Sequence, residues 1–250
     1  MKRFDWTVVI GVSVGFAAIA LGAWFEDLNI GLLWNPTAAF IVGGGTLGAV
    51  IVRRGISGIT NAVRAVWRLR LKDSDDVEHK MEIARLAWLS RSYAKAGVRA
   101  FENYAEQTAD TLVTQGLTMV ADRAGKQQIK EVLSRRLNLE DEEGLQDSAT
   151  LEAAGGFAPT FGILGAVLGL ISVLRVLDRP EALGAGIAAA FVATIYGLSS
   201  ANLIFFPLGA RLRARHEVHM KRREEIASVI VSLGSNEPTR AIINQFNLPR

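Results

Sequence analysis

The chain contains no cysteine, which excludes disulfide staples, thiolate metal sites and cysteine nucleophiles together. Histidine is scarce: His79, His216 and His219 are the only three. Charge is missing more selectively. Residues 6–25, 28–52, 153–174 and 182–210 carry no Asp, Glu, Lys, Arg or His. Each run is at least as long as the roughly 20 residues that cross a hydrocarbon core as a helix. No stretch alternates apolar and polar residues with a period of two, so no sheet is expected.

What is present is blocked rather than mixed. Hydrophobic residues make up 50% of the 250 positions and charged ones only 21%, too apolar an average for an ordinary surface-to-core balance. The charge collects in residues 53–152, between the second and third apolar runs. The net charge is only +3, so the basic residues form local clusters rather than a polyanion-binding surface, and no nucleic-acid partner is expected. Lys2 and Arg3 ahead of an apolar run could suggest a secretory signal. The run to Phe25 is longer than a usual signal core, however, and Trp24 and Phe25 stand where small cleavage-site residues belong. A retained first helix is the expectation.

Orientation follows from where the basic residues lie. Lys2 and Arg3 precede helix 1, and Arg53, Arg54, Arg64, Arg68, Arg70 and Lys72 follow helix 2. Arg211, Arg213, Arg215, Lys221, Arg222 and Arg223 follow helix 4. The connection between helices 1 and 2 carries Glu26 and Asp27, and the one between helices 3 and 4 is balanced. Both termini and the charged block are therefore expected in the cytoplasm of a cell whose inner membrane holds the four spans. Trp24 and Trp34 fall at the outer ends of helices 1 and 2, as an aromatic belt requires.

The charged block reads as helical. Val77, Met81, Ala84 and Trp88 form one apolar stripe, and Ile129, Val132, Leu133 and Leu137 another. Ala124-Gly125 and Glu143-Gly144 are breaks, and Asp73 or Ser74 is a helix cap. After helix 4 a charged helix runs to about Leu233 with Ile226, Val229, Ile230 and Leu233 on one face and Gly234 at its end. Asn236-Glu237-Pro238 opens a short terminal helix. The expected architecture is an all-α integral membrane protein with four transmembrane helices. A large helical cytoplasmic domain separates helices 2 and 3, and a helical C-terminal tail follows helix 4. The domains are 1–52 (peripheral helices 1 and 2), 53–152 (cytoplasmic), 153–210 (helices 3 and 4) and 211–250 (C-terminal helices).

Polar side chains inside the spans carry information because an isolated membrane helix needs none. Helix 3 holds Pro159, Thr160 and Ser172; helix 4 holds Thr194, Tyr196, Ser199, Ser200, Asn202 and Pro207. An ion path through hydrocarbon normally demands an ionisable group at depth. This chain offers hydroxyls and no carboxylate, so it either conducts nothing or relies on a partner's acid. Gly11-x-x-x-Gly15 and Gly165-x-x-x-Gly169 are small-residue spacings that let helices approach closely. Gly43-Gly44-Gly45-Thr46 lacks the lysine of a phosphate loop. Pro159 and Pro207 each remove a backbone hydrogen bond from their helix and are candidate hinges. His216-x-x-His219 has no carboxylate pattern around it to complete a metal site. No nucleophile–base pair or paired carboxylate lies at membrane depth, so no enzyme, cofactor or metal is expected.

Four segments together resemble the MotA/PomA flagellar stator subunits of the MotA/TolQ/ExbB proton-channel superfamily. They are Ile41 to Thr46 in helix 2, Ala158 to Leu170 in helix 3, Thr194 to Gly197 with Asn202 to Pro207 in helix 4, and the tail Leu233 to Leu248. The resemblance covers essentially the whole chain. It implies a homopentamer around two copies of a MotB-like single-span partner whose membrane Asp carries the ion, with lipid around helices 1 and 2. It implies that Pro159 and Pro207 couple protonation of that Asp to motion of the cytoplasmic domain, and that Thr160, Thr194 and Tyr196 belong to the ion-path helices. The cytoplasmic helices would then push the switch ring of the rotor.

Sodium-driven relatives carry hydroxyls where this chain has Ala166 and Ala193. Sodium must exchange its hydration shell for oxygen ligands, so their loss favours the proton over sodium. The family's torque segment places a basic residue eight positions before a Glu. Taking Glu102 as that Glu, the position holds Ala94, with Lys95 next to it. Rotor-contact candidates are therefore Lys95, Glu102, Arg91 and Arg99, which could equally be ordinary solvated charges. Two other readings remain open: an ExbB/TolQ-like energiser of an envelope process, and a non-conducting membrane scaffold.

Overall fold

The computed structural model describes residues 6–27, 30–69, 75–175 and 180–235. Every regular element among them is helical. In chain order these are α1 (Thr7–Phe25), a 3-10 turn (Ile30–Leu33), α2 (Pro36–Leu69), α3 (Asp75–Ala96) and α4 (Arg99–Gln107). There follow α5 (Thr111–Ala121), α6 (Lys126–Gly144), α7 (Gln146–Leu174), α8 (Pro180–Ser200), a π-helical segment (Ala201–Phe205) and α9 (Phe206–Gly234). The described residues group into two compact units, those within 6–69 and 145–214, and those within 75–144 and 215–235.

The first unit holds the four helical stretches that are long and apolar enough to cross a membrane. It is built inside out. In the apolar run of α7 the buried positions are Ala153, Ala154, Gly155, Ala158, Gly162, Gly165 and Val173, all but the last small, while Ile163, Leu164, Val167, Leu168 and Ile171 are exposed. Water would penalise that arrangement, whereas hydrocarbon does not, and small residues at the interface give close helix contact. The second apolar run, 28–52, is not one helix from its start. Ile30–Leu33 is a 3-10 turn and α2 begins at Pro36. The Asn35 side-chain oxygen accepts from the Ala38 N–H at 3.0 Å, and Pro36 takes the first helical position, where its missing N–H costs nothing. Beyond the membrane run α2 breaks at Gly55, whose φ of 71° is open to glycine at little cost.

The second unit packs Ile83, Leu86, Phe101, Leu112, Leu117, Ile129, Leu133, Val229 and Ile230 into one core. The apolar faces read on α6 and α9 are the buried ones: Ile129, Leu133 and Leu137 with Val132 half-buried beside them, then Ile226, Val229, Ile230 and Leu233. The breaks near Ala124-Gly125 and at Gly144 fall between helices, and α9 ends at Gly234. On α3 the expected stripe is on the wrong face. Met81 and Trp88 are 50% and 61% exposed, and the buried side chains are Ile83, Leu86, Ala87 and Leu89. Two apolar stripes share this helix, and the one that reaches α4 and the core is set by tertiary packing rather than by the periodicity of either. The caps expected at Asp73 or Ser74 and the terminal helix from Asn236 lie outside the described residues.

An ionic hub fixes the second unit's polar seam. Arg223 on α9 donates to both Glu140 oxygens on α6, at 3.0 and 3.1 Å, and also reaches the Asp110 carboxylate. Asp110 in turn caps α5, accepting from the N–H groups of Leu112 and Val113. Burial alone would raise the Glu140 carboxyl, but the hydrogen bonds and charge of Arg223, then of Arg136, outweigh it and hold its pKa below the usual carboxylate value.

Candidate ion path

Helices α7 and α8 form a seam in which glycine replaces side chains on both sides. A Cβ on Gly197 would stand 2.6 Å from the Ala158 carbonyl oxygen and 3.1 Å from Pro159 Cα. One on Gly162 would stand 2.9 Å from the Ala193 carbonyl oxygen and 3.3 Å from Thr194 Cα. The backbones are thus as close as helices can come, and any larger residue must push them apart. Pro159, Gly162, Ala166 and Gly169 recur at three- and four-residue spacing, so they share one face of α7.

Five expected path residues lie on or beside this seam. Pro159 meets Gly197 across it, and Thr194 is half-buried opposite Gly162. Ala193 is only 1% exposed and stands against Gly165. Ala166 is half-buried on the Pro159 face. Thr160 follows Pro159 on the exposed side of α7, its hydroxyl donating to the Phe157 carbonyl at 2.6 Å. Tyr196 points elsewhere. Its hydroxyl donates to the Leu33 carbonyl and accepts from the Asn35 N–H at 3.2 Å, tying α8 to the turn ahead of α2.

Pro207 is exposed one position into α9, directly after the π-helical segment. The Phe206 N–H bonds to the Ala201 carbonyl, five residues back. Proline cannot donate to the carbonyl four residues before it and its ring crowds that carbonyl; widening the preceding turn accommodates both. Such π segments are frequent at functional sites. Below the two prolines, Arg213 on α9 grips Glu152 on α7 through three contacts of 3.0–3.2 Å, and the Phe206 ring lies on Gly155.

The charged candidates sit around the α3–α4 corner, where Gly97 takes a φ of 65°. Arg91, Arg99 and Glu102 are exposed, Glu102 in the first turn of α4. The Lys95 side chain lies outside the described residues. His216 pairs with Asp141 at 2.8 Å. Burial, and then the Arg223 charge, push His219 below the ordinary histidine value. Among the described residues no three His, Asp or Glu side chains gather as a metal site.

Sequence reasoning missed the π segment, the Tyr196 tie and the Glu152–Arg213 grip. Asn35-Pro36 was a readable cap signal for the true start of α2. The π segment and the grip depend on which turns of α7 and α9 meet, which single-helix periodicity does not contain.

The chemistry of the seam is hydroxyls, backbone and two prolines at membrane depth, and residues 153–174 bring no carboxylate to it. Residues 104–225 match the model of the MotA/TolQ/ExbB proton channel family. The Motility protein A of Bacillus subtilis (strain 168) is 27% identical over 95% of this chain and 88% of its own length. That of Helicobacter pylori (strain J99) is 29% identical over 97% of this chain and 93% of its own. The chain is similar to motility A proteins along nearly its whole length. The flagellar MotAB stator complex of Bacillus subtilis contains a chain that superposes with a TM-score of 0.81 at 27% identity, covering 98% of this chain and 96% of that one. Both relatives match along most of their own length as well as along this chain.

Proposed function

We propose that this subunit, in complex with a MotB-like single-span partner, conducts protons through the face formed by α7 and α8 and converts each passage into a push on the rotor. The observation that carries the reading is the seam itself: tight glycine packing, a half-buried Thr194 hydroxyl and the helix-weakening Pro159, with no acid of its own and with Pro207 beyond it on α9. A MotB-like partner supplies the membrane Asp. Neutralising a buried carboxylate changes its preferred surroundings by several kcal/mol, enough to bias a packing with two alternatives. Pro159 and Pro207 are where α7 and the α8–α9 column can bend in response. A homopentamer surrounds two partner copies, in the inner membrane, with both termini and the second unit in the cytoplasm. Exposed charges at the α3–α4 corner, Glu102 foremost, meet the switch ring.

The translocated ion is the proton. Ala193 is closed into the seam against Gly165, Ala166 adds no oxygen, and the exposed Thr160 hydroxyl is held by the Phe157 carbonyl, so Thr194 offers the half-buried hydroxyl at the Pro159 level of the seam. A single hydroxyl relays a proton but does not replace the shell of a sodium ion. Swimming should persist in sodium-free medium and stop when an uncoupler collapses the proton-motive force. Motility that ceases on sodium removal yet survives the uncoupler would refute the assignment.

A further inference from the structure

The first unit contains a cavity of about 670 Å³ between α1, α2 and α8. Phe16, Ile19, Val42, Leu47, Ile195 and Phe205 make most of its wall, which is almost wholly apolar. Four hydroxyls lie at this wall but add little surface to it. Tyr196 is tied to Leu33 and Asn35, the Ser200 hydroxyl donates to the Gly197 carbonyl, the Thr46 hydroxyl is buried without a hydrogen-bond partner, and Ser199 is the fourth. Helix α1 has no buried residue. It is held to the bundle where Gly15 meets Leu203 of the π segment and where Arg211 donates to Thr7 at 3.4 Å.

We propose that this cavity is a binding site for one acyl chain of a bilayer phospholipid, seated between α1 and the α2–α8 pair. Size and chemistry select the occupant. Water held in a protein needs two to four polar partners, which this wall does not offer. A helix of about 10 Å diameter spanning roughly 30 Å fills on the order of 2000 Å³, so a neighbouring span does not fit. The volume lies within the roughly 300–1,000 Å³ of built ligand sites. A thin, flexible apolar chain is the component that hydrocarbon surroundings supply. The lipid tail then completes the seat of α1 beside the π segment that precedes Pro207. The proposal rests on the membrane-spanning character of the first unit and not on ion conduction, and its test reads lipid alone.

Gly43 lines the cavity, and a Cβ there meets nothing within 4 Å, so the Gly43→Trp side chain starts from open space at the cavity wall. Gly44 is outside the lining and its Cβ would find only the Phe40 ring at 4.0 Å; Gly44→Trp is the control. The complete complex is reconstituted into vesicles of phosphatidylethanolamine and phosphatidylglycerol doped with a phospholipid that carries a photoactivatable group midway along one acyl chain. Labelled peptides are then mapped by mass spectrometry. Wild type and Gly44→Trp should label at the α1, α2 and α8 residues of the cavity, and Gly43→Trp should lose that label while outer-face labelling near Val52 stays. Wild-type labelling confined to the outer faces would overturn the proposal. Cavity labelling that persists in Gly43→Trp would do so equally, and because the wild-type result decides by itself, a Gly43→Trp chain that fails to assemble does not rescue it.

Discussion

Replacing Gly197 by alanine adds one methyl group to the tightest point of the α7–α8 seam. That carbon would stand 2.6 Å from the Ala158 carbonyl oxygen, against about 3.4 Å for ordinary contact, with Pro159 Cα at 3.1 Å. Both obstacles are backbone, so no rotamer can yield, and the helices must separate by about 0.8 Å at the Pro159 level. Overpacking of this kind costs about 1–3 kcal/mol. At roughly 2–4 °C per kcal/mol for a chain of this size, thermal unfolding of the purified complex should fall by about 2–12 °C. Thr194 and Pro159 lie on either side of that point, so proton flux per assembled complex should drop with it. Gly43→Ala, whose Cβ meets nothing within 4 Å, should change neither. A Gly197→Ala complex with wild-type melting and flux would show that the seam is slack and refute the packing argument.

Three further outcomes follow from the geometry. Tyr196→Phe removes the donor to the Leu33 carbonyl, a loss of about 1–3 kcal/mol, and should lower the melting temperature while flux per complex stays unchanged; reduced flux at normal stability would put the hydroxyl on the path instead. Arg223→Met leaves Glu140 with Arg136 alone and Asp110 with its cap bonds alone, and should cost the second unit about 1–3 kcal/mol, read as faster hydrogen exchange in α6 and α9 of the full chain. The Glu140 pKa is depressed on folding, so its contribution is present above the unfolded value of about 4.3 and is lost as pH falls through the folded one. Exchange in α6 should therefore accelerate below about pH 4 in wild type, and Arg223→Met should flatten that acid limb; an unaltered limb would remove Glu140 as its source. Glu102→Lys should slow rotation in a tethered-cell assay without reducing membrane expression, and unchanged torque would strike it from the rotor contacts.

How much of this was legible in the sequence depends on the range of the interaction. The four spans were readable because hydrocarbon excludes charge over some 20 consecutive residues, a property of the chain before it folds. The buried faces of α6 and α9 were readable because each carries one dominant apolar stripe. Helix α3 carries two, and nothing in its own spacing says that Ile83 and Leu86 rather than Met81 and Trp88 meet the core. At the candidate ion path, Pro159, Thr194 and Pro207 were visible as polar or helix-breaking residues where none is needed. That Ala158 and Pro159 lie against Gly197, and that Tyr196 turns away to the α2 cap, are facts of helix register. The same holds for the π segment, which relieves Pro207 by shifting the register of the residues before it.

In the proposed complex this chain supplies a channel wall and a partner supplies the acid. The native mass of the detergent-solubilised complex, with whatever co-purifies, tests it most directly. The account predicts five copies of this chain with two of a single-span, Asp-bearing partner. A monomer or dimer that carries no partner would contradict it, leaving the four-span helical fold without the mechanism.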